Sequence, residues 1–201
     1  MAEFTEAPVS ATITTTTGPK LAPFNPTSVE CVHLALDMLQ VQEEDVLYDL
    51  GCGDGRLLIE ASKKYGISGV GIEYDSALCD KARAKVEEEG VGDKVNIVHA
   101  NVLDVDISPA TIIFIYLVPE GMRAMREALV SAIEDRAVRV VTYVFSIPEQ
   151  PPVEVQLYKN IMKLYLYKIQ EETVIETDKT TTDETSSGAD QLSPATDSKQ
   201  C

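Results

Sequence analysis

The chain has 201 residues, 44% of them hydrophobic and 25% charged, with a formal net charge of −16. That length is enough for one domain with a sizeable core. That charge disfavours nucleic acid and suits a basic partner such as a basic protein segment. The folded part is less acidic than the total suggests. Eight acids and two lysines beyond residue 170 carry −6, which leaves −10 for the rest.

Residues 1–20 are rich in Thr, Ser and Ala without a period and are expected to form a flexible arm. Residues 171–201 are Thr, Asp, Glu and Ser with almost nothing apolar. They cannot bury enough surface to offset ordering entropy, so a disordered acidic tail is expected. The folded domain is placed at residues 21–170. Residues 27–30, TSVE, form a capping box that opens a helix with Val32, Ala35, Leu36 and Leu39 on one stripe. DVLYDL is a short apolar strand. A glycine loop follows, then a helix with Leu58, Ala61 and Tyr65 on one face.

SGVGIE is a second strand ending at Glu73. Asp75 caps the next helix, with Leu78, Ala82 and Val86 at i, i+4 and i+8, and Gly90 stops it. KVNIVHA and ATIIFIYL are the third and fourth strands. A helix after Pro119 carries Met122, Met125, Leu129 and Ile133. RAVRVVTYVF is a fifth strand, and VEVQLY and IMKLYLYKI form a hairpin about Lys159 and Asn160. The pattern is α/β: a mostly parallel seven-stranded sheet with an antiparallel C-terminal hairpin edge and helices on both faces. In such sheets ligands bind beyond the carboxyl ends of the strands, where the glycine loop lies.

The four cysteines show no CxxC pair, which suits reduced thiols in a reducing compartment and excludes a disulfide framework or a zinc site. The longest strongly apolar run, residues 112–118, is shorter than the roughly 20 residues a membrane helix needs. The N-terminus lacks a secretory h-region and an Arg-rich transit helix, so a cytoplasmic location is expected.

The loop, YDLGCGDGR, places Gly51, Gly53 and Gly55 in G-x-G-x-G spacing, with Asp49 two residues earlier. A dinucleotide fingerprint needs a third glycine where Arg56 stands, and a phosphate loop needs a Gly-Lys-Ser/Thr ending. Glu73, eighteen residues after Gly55, has the lone pairs to accept both hydroxyls of a ribose. Cys52 is a small residue at a tight turn rather than a nucleophile. His33 and His99 have no partner in the sequence that makes them bases, so structural roles are expected.

DLGCGDGR followed by GVGIEYD resembles the first two motifs of class I S-adenosylmethionine-dependent methyltransferases, over the whole domain. The resemblance implies a Rossmann-like fold and S-adenosyl-L-methionine as cofactor. The loop would lie under the cofactor, Asp49 would hold its ammonium and Glu73 its ribose. Asn101 stands where the family usually has an Asp near the adenine. The segment APFNPTSVE, with YDLGCGDGR, GVGIE and IYLVPE, is similar to a narrower family of small protein-lysine methyltransferases. Its members include the enzymes that act on the ATP synthase c-subunit and on the adenine nucleotide translocase. That likeness implies a protein substrate with a target lysine, and a mitochondrial site as the alternative location. It places Phe24, Asn25 and Pro26, and Tyr116, Leu117, Val118 and Pro119, at the mouth of the site. Phe24 is equally placed to staple the first helix, and Tyr116 to fill sheet core. Alternatives to lysine transfer are a small molecule, another side chain, or a silent cofactor-binding module.

Overall fold

The structure, a computed structural model, describes residues 25–170. Residues 21–24, Phe24 among them, the N-terminal arm and the acidic tail lie outside the described residues. In chain order the elements are α1 (Val29–Leu39), β1 (Val46–Leu50), α2 (Arg56–Tyr65), β2 (Ser68–Glu73), α3 (Ser76–Glu88) and β3 (Val95–His99). A 3-10 turn at Val102–Asp104 follows, then β4 (Ile112–Ile115), α4 (Pro119–Arg136), β5 (Arg139–Tyr143), β6 (Glu154–Tyr158) and β7 (Met162–Tyr167). The strands make one sheet of order β3-β2-β1-β4-β5-β7-β6. All pairs are parallel except β5 with β7 and β6 with β7.

Alternation along the strands sends side chains to two faces. Leu47, Ile112, Phe114 and Val141 pack under α1, α2 and α3. Tyr48, Leu50, Ile113, Ile115 and Val140 pack against α4. The α4 stripe of Met122, Met125, Leu129 and Ile133 is buried as its spacing predicts. Each such side chain contributes about 1.5–3 kcal/mol on burial, which fixes the helix more firmly than its propensity could.

The terminators are local. Asp75 accepts from the backbone N–H groups of Ala77 and Leu78 at 3.0 and 3.3 Å. Gly90, at φ +69, follows α3 in the left-handed region. Lys159 and Asn160 both have positive φ, 51° and 57°, the geometry of a two-residue hairpin turn whose twist matches its strands.

Three expectations shift. The first cap is Ser28, whose Oγ accepts from Cys31 N–H at 3.3 Å, one residue later than the capping box implies. Thr27 is held outside the helix because Arg56 Nη1 donates to its carbonyl at 2.7 Å. The buried stripe of α3 is Cys79, Ala82 and Val86, while Leu78 turns toward a cleft. β5 begins at Arg139 because α4 runs on to Arg136 and closes at Ala137 in a left-handed cap.

At the amino ends of the strands lies an ion pair, buried at Asp45 and partly exposed at Arg139, that the sequence does not announce. Arg139 Nη2 donates to both oxygens of Asp45 at 2.6 Å. Arg139 Nη1 also donates to the carbonyls of Leu39 and Gln40, which terminates α1. Thr111 Oγ1 and the Gln42 N–H complete the shell around Asp45. Removing one partner of a buried pair costs about 3–5 kcal/mol because it strands the other charge. Arg139→Leu is therefore expected to lower the melting temperature by about 10 °C, taking about 2–4 °C per kcal/mol for a domain of this size. Asp45→Asn in the same chain should return part of the loss. Calorimetric melting of the two variants checks both.

Candidate active site

The strand order reverses at β1, with β2 on one side and β4 on the other. The chain leaves β1 through Gly51, Gly53 and Gly55 at φ +94, +55 and +74, values that side chains rarely adopt. The turn folds back at once, because the Gly51 and Cys52 N–H groups donate to Ile72 O at 2.9 and 3.0 Å. A Cβ on Gly51 would also press on Leu117 Cδ2 at 3.2 Å. The loop borders an open cleft of about 830 Å³, its mouth included, beyond the carboxyl ends of β1 and β4. That is the place expected of a ligand site in a doubly wound sheet.

Three carboxylates stand at this loop, and each is held differently. Glu73 is buried and accepts from Gly53 N–H and Asp75 N–H, both at 2.9 Å. It ties the middle of the loop to the start of α3, and each oxygen keeps a lone pair for a ligand. Asp54 is buried too, and burial works to raise its pKa. Arg56, which donates from Nε and Nη2 at 2.8 and 2.7 Å, and Lys85, at 3.1 Å, outweigh this and hold the carboxyl below the usual carboxylate range. Asp49 has no hydrogen bond or ion pair to its carboxyl among the described residues. Burial, with the charges of Glu73 and Asp54, pushes its pKa up to about 8.

Cys52 is buried, and its Sγ lies where a Cβ on Gly71 would meet it at 2.7 Å. Burial raises the thiol well above its ordinary value, so it is a packed turn residue and not a thiolate. Asn101 lines the cleft and caps the 3-10 turn, with Oδ1 accepting from Leu103 N–H at 3.1 Å.

The mouth is formed by the two segments singled out in the sequence. Asn25, Pro26 and Thr27 line one side, and Tyr116 and Leu117 the other. They meet where Asn25 Nδ2 donates to the Tyr116 hydroxyl at 3.0 Å. Tyr116 also packs edge-on against Tyr143, with ring centroids 4.8 Å apart. Pro119 does not line the cleft. It is the first residue of α4, where its missing N–H is harmless, so its place is explained by helix initiation. Val118 is the cap before it. Phe24 lies outside the described residues. His33 pairs with Glu60 and His99 with the Tyr74 carbonyl, and neither lines the cleft.

Sequence reasoning missed the apolar lining from Tyr74, Leu78, Val102 and Phe114. Leu78 carried a signal, since Cys79 completes the buried stripe better and leaves Leu78 spare. Phe114 carried none, lying within a continuous apolar run.

The family model described as ANTKMT methyltransferase domain matches residues 49–154. A protein-lysine N-methyltransferase of Saccharolobus islandicus is 34% identical over 134 residues, covering 66% of this chain and 83% of that protein. The chain belongs to the ANTKMT methyltransferase domain family. The human lysine N-methyltransferase of the ATP synthase c-subunit is 31% identical over 130 residues, 65% of this chain. The chain spans only 54% of that relative's length. Among solved structures, a Salinibacter ruber protein described as an RNA methyltransferase, in complex with S-adenosyl-L-homocysteine, is 35% identical. It covers 77% of this chain and 100% of its own with a TM-score of 0.69. The sheet is that of a class I methyltransferase, and the cofactor of this family is S-adenosyl-L-methionine.

The residues fit that group. The cofactor is cationic and carries no phosphate, and the one cation lining the cleft among the described residues, Arg56, is engaged by Asp54 and the Thr27 carbonyl. Asp49 is a buried acid with no cation at its carboxyl among the described residues, a setting that suits a cationic group. Glu73 keeps acceptor capacity on each oxygen beside the cleft that Asn101 also lines.

The raised Asp49 pKa has a definite sign. An acid that holds its proton more tightly when folded costs stability as pH rises from the usual carboxylate range toward 8, and a bound cation offsets that cost. Affinity for S-adenosyl-L-homocysteine is therefore expected to rise between pH 6 and pH 8, by at most about tenfold per unit. Asp49→Asn should weaken binding and flatten the profile, as read by titration calorimetry. A flat wild-type profile would show that Asp49 is already ionised in the free protein.

Glu73→Ala is expected to weaken the same binding by about 1–3 kcal/mol. Glu73→Gln should not rescue it, because the amide NH₂ would face one of the two N–H groups the carboxylate accepts. Unchanged affinity in either variant removes Glu73 from the cofactor site.

Proposed function

We propose that this chain transfers methyl groups from S-adenosyl-L-methionine to the side-chain amine of a lysine in a protein substrate. The observation that carries the reading is the mouth of the cleft, where Asn25 and Tyr116 join at 3.0 Å beside a pocket with no histidine among the described residues that line it. The activity named for the Saccharolobus relative supports it.

Asp49 would hold the cofactor's ammonium, Glu73 the ribose hydroxyls, and Asn101, which lines the cleft, would stand beside the adenine. The glycine loop lets backbone approach closely. When bound, the cofactor supplies the methyl group, which the lysine nitrogen takes in line as the carbon–sulfur bond breaks and its electron pair leaves with sulfur. Rate comes chiefly from holding the amine in that line. The Tyr116 oxygen accepts from Asn25 and has a second lone pair for an amine N–H, which aims the nitrogen's own pair away from the ring. The aromatic faces of Tyr116 and Tyr143 tolerate the cation formed by transfer. Burial, then the neighbouring Cys31, pushes the Tyr143 phenol well above its ordinary range, so it stays neutral. Desolvation at the mouth favours the neutral, nucleophilic amine, and the proton leaves to solvent.

An RNA acceptor, after the description of the Salinibacter protein, has less support. Phosphate contacts dominate RNA affinity and need free cations, and Arg56 is already engaged.

Incubation with methyl-labelled cofactor and cell extract, followed by protein hydrolysis, should yield methylated lysine. Label in small molecules or RNA with none in protein refutes the reading. Tyr116→Phe is expected to lower kcat about five- to tenfold, one lost hydrogen bond being worth about 1 kcal/mol or somewhat more. Tyr116→Ala should lower it further, with cofactor affinity unchanged in both. Full activity in both would remove Tyr116 from the reaction.

A further inference from the structure

The hairpin of β6 and β7 carries four exposed apolar side chains: Ile161 at 81% exposure, Leu157 at 56%, Val155 at 46% and Met162 at 43%. Scattered exposed apolar residues need no explanation, but these share one hairpin, and its position is specific. β7 runs antiparallel to β5, so the tip of the hairpin stands at the carboxyl end of β5, the same edge of the sheet as the cleft.

Two contacts fix the tip to the mouth. The Tyr158 hydroxyl lies 2.6 Å from Ser28 Oγ, next to Thr27, which lines the cleft. The Tyr143 hydroxyl donates to Met162 Sδ, and Tyr143 stacks edge-on against Tyr116. β6 is also the last strand of the sheet, so among the described residues one of its backbone edges is unpaired. Sheet edges are usually blunted by charged side chains, Lys above all, by Pro or by a bulge. β6 reads EVQLY, with Glu154 at its start as its one charge and neither Lys nor Pro in its five residues.

We infer that the hairpin tip and the β6 edge form the docking lip for the protein substrate, and that they select a lysine whose flanking residues are apolar and extended. This rests on the lysine reading of the cleft and names its substrate class. An extended segment can pair with the β6 edge while its apolar side chains cover Val155 and Leu157, the mode by which many domains bind peptides. The segment then passes Ile161 and Met162 and delivers its lysine to Tyr116. Three strand steps separate β6 from β4, about 14 Å at the usual spacing. Extended chain covers that in about four residues, so the apolar flank lies within about that distance of the target lysine.

The full chain is incubated with cell extract and deuterated-methyl cofactor, and modified lysines are located by mass spectrometry. Wild type is expected to modify lysines enriched in apolar neighbours within about four positions, compared with all lysines in the same extract. Leu157→Asp with Ile161→Asp is expected to lose those sites preferentially, at least tenfold, with S-adenosyl-L-homocysteine binding unchanged by calorimetry. Methyl-lysine whose flanks match the extract background, or equal modification by the variant, overturns the docking lip and leaves the lysine reading standing. No methyl-lysine from wild type refutes the lysine reading, and the lip falls with it. Wild type that elutes as a dimer in size-exclusion chromatography, with the variant eluting as a monomer, would assign the patch to a second copy instead.

Discussion

The cleft depends on one backbone constraint. The chain must leave β1, reverse, and enter α2 within five residues while its N–H groups stay bonded to β2. Gly51, Gly53 and Gly55 meet this with three left-handed dihedrals. The Gly53 N–H, at the centre of the turn, is held by Glu73. A loop of this kind has little stiffness of its own, so its shape is borrowed from the carboxylate of the next strand. The same carboxylate also receives Asp75 N–H, where Asp75 caps α3. Loop, Glu73 and helix start are therefore one hydrogen-bonded unit. This explains why the acid at the end of β2 and the glycines after β1 belong together.

Electrostatics then decides what the unit accepts. Asp49, Asp54 and Glu73 crowd one turn, and three like charges in a low-dielectric site repel strongly. The chain resolves the conflict unequally. Asp54 is neutralised by Arg56 and Lys85, Glu73 is stabilised by two N–H donors, and Asp49 is left with neither. Arg56 also reaches across to Thr27 and anchors the segment that carries Asn25 and Pro26. The residue that breaks the dinucleotide fingerprint thus has a positive role: it neutralises Asp54 at the glycine loop and ties down Thr27 at the mouth of the cleft. Its engagement also means that, among the described residues, the cleft offers no spare cation to a phosphate.

Much of this was legible in the sequence, for physical reasons that differ by element. The strands and helices announced themselves because period 2 and period 3.6 burial map directly onto side-chain identity, as in the α4 stripe. Lys159–Asn160 was legible because few residues tolerate two consecutive left-handed positions. The glycine loop and Glu73 were legible because chemistry and spacing coincide there. The cap at Ser28, the ion pair of Arg139 with Asp45 and the role of Arg56 were not. Each depends on a partner far along the chain: Arg56, which holds Thr27 outside the helix, for the cap at Ser28, position 45 for 139, position 27 for 56. Pro119, placed at the mouth by its motif, is the first residue of α4 and does not line the cleft.

The two sides of the cleft follow different physics, and that bears on what can evolve. The glycine-loop side is buried, and every acid on it is positioned by backbone N–H groups, by fixed cations or by enclosure, so a substitution there disturbs several groups at once. The mouth is more open and rests on a few side-chain contacts, such as Asn25 with Tyr116 and Tyr158 with Ser28 and Glu30. Beyond it, Leu157 and Ile161 of the hairpin stand outside the cleft lining. Such residues can change with little cost to cofactor binding, because contacts in separate networks add nearly independently. A family that keeps one methyl donor while serving different acceptors would therefore vary the hairpin and the mouth and hold the loop constant. The same separation is why the loop speaks clearly in the sequence of one chain, whereas the acceptor is named only by what the exposed lip can hold.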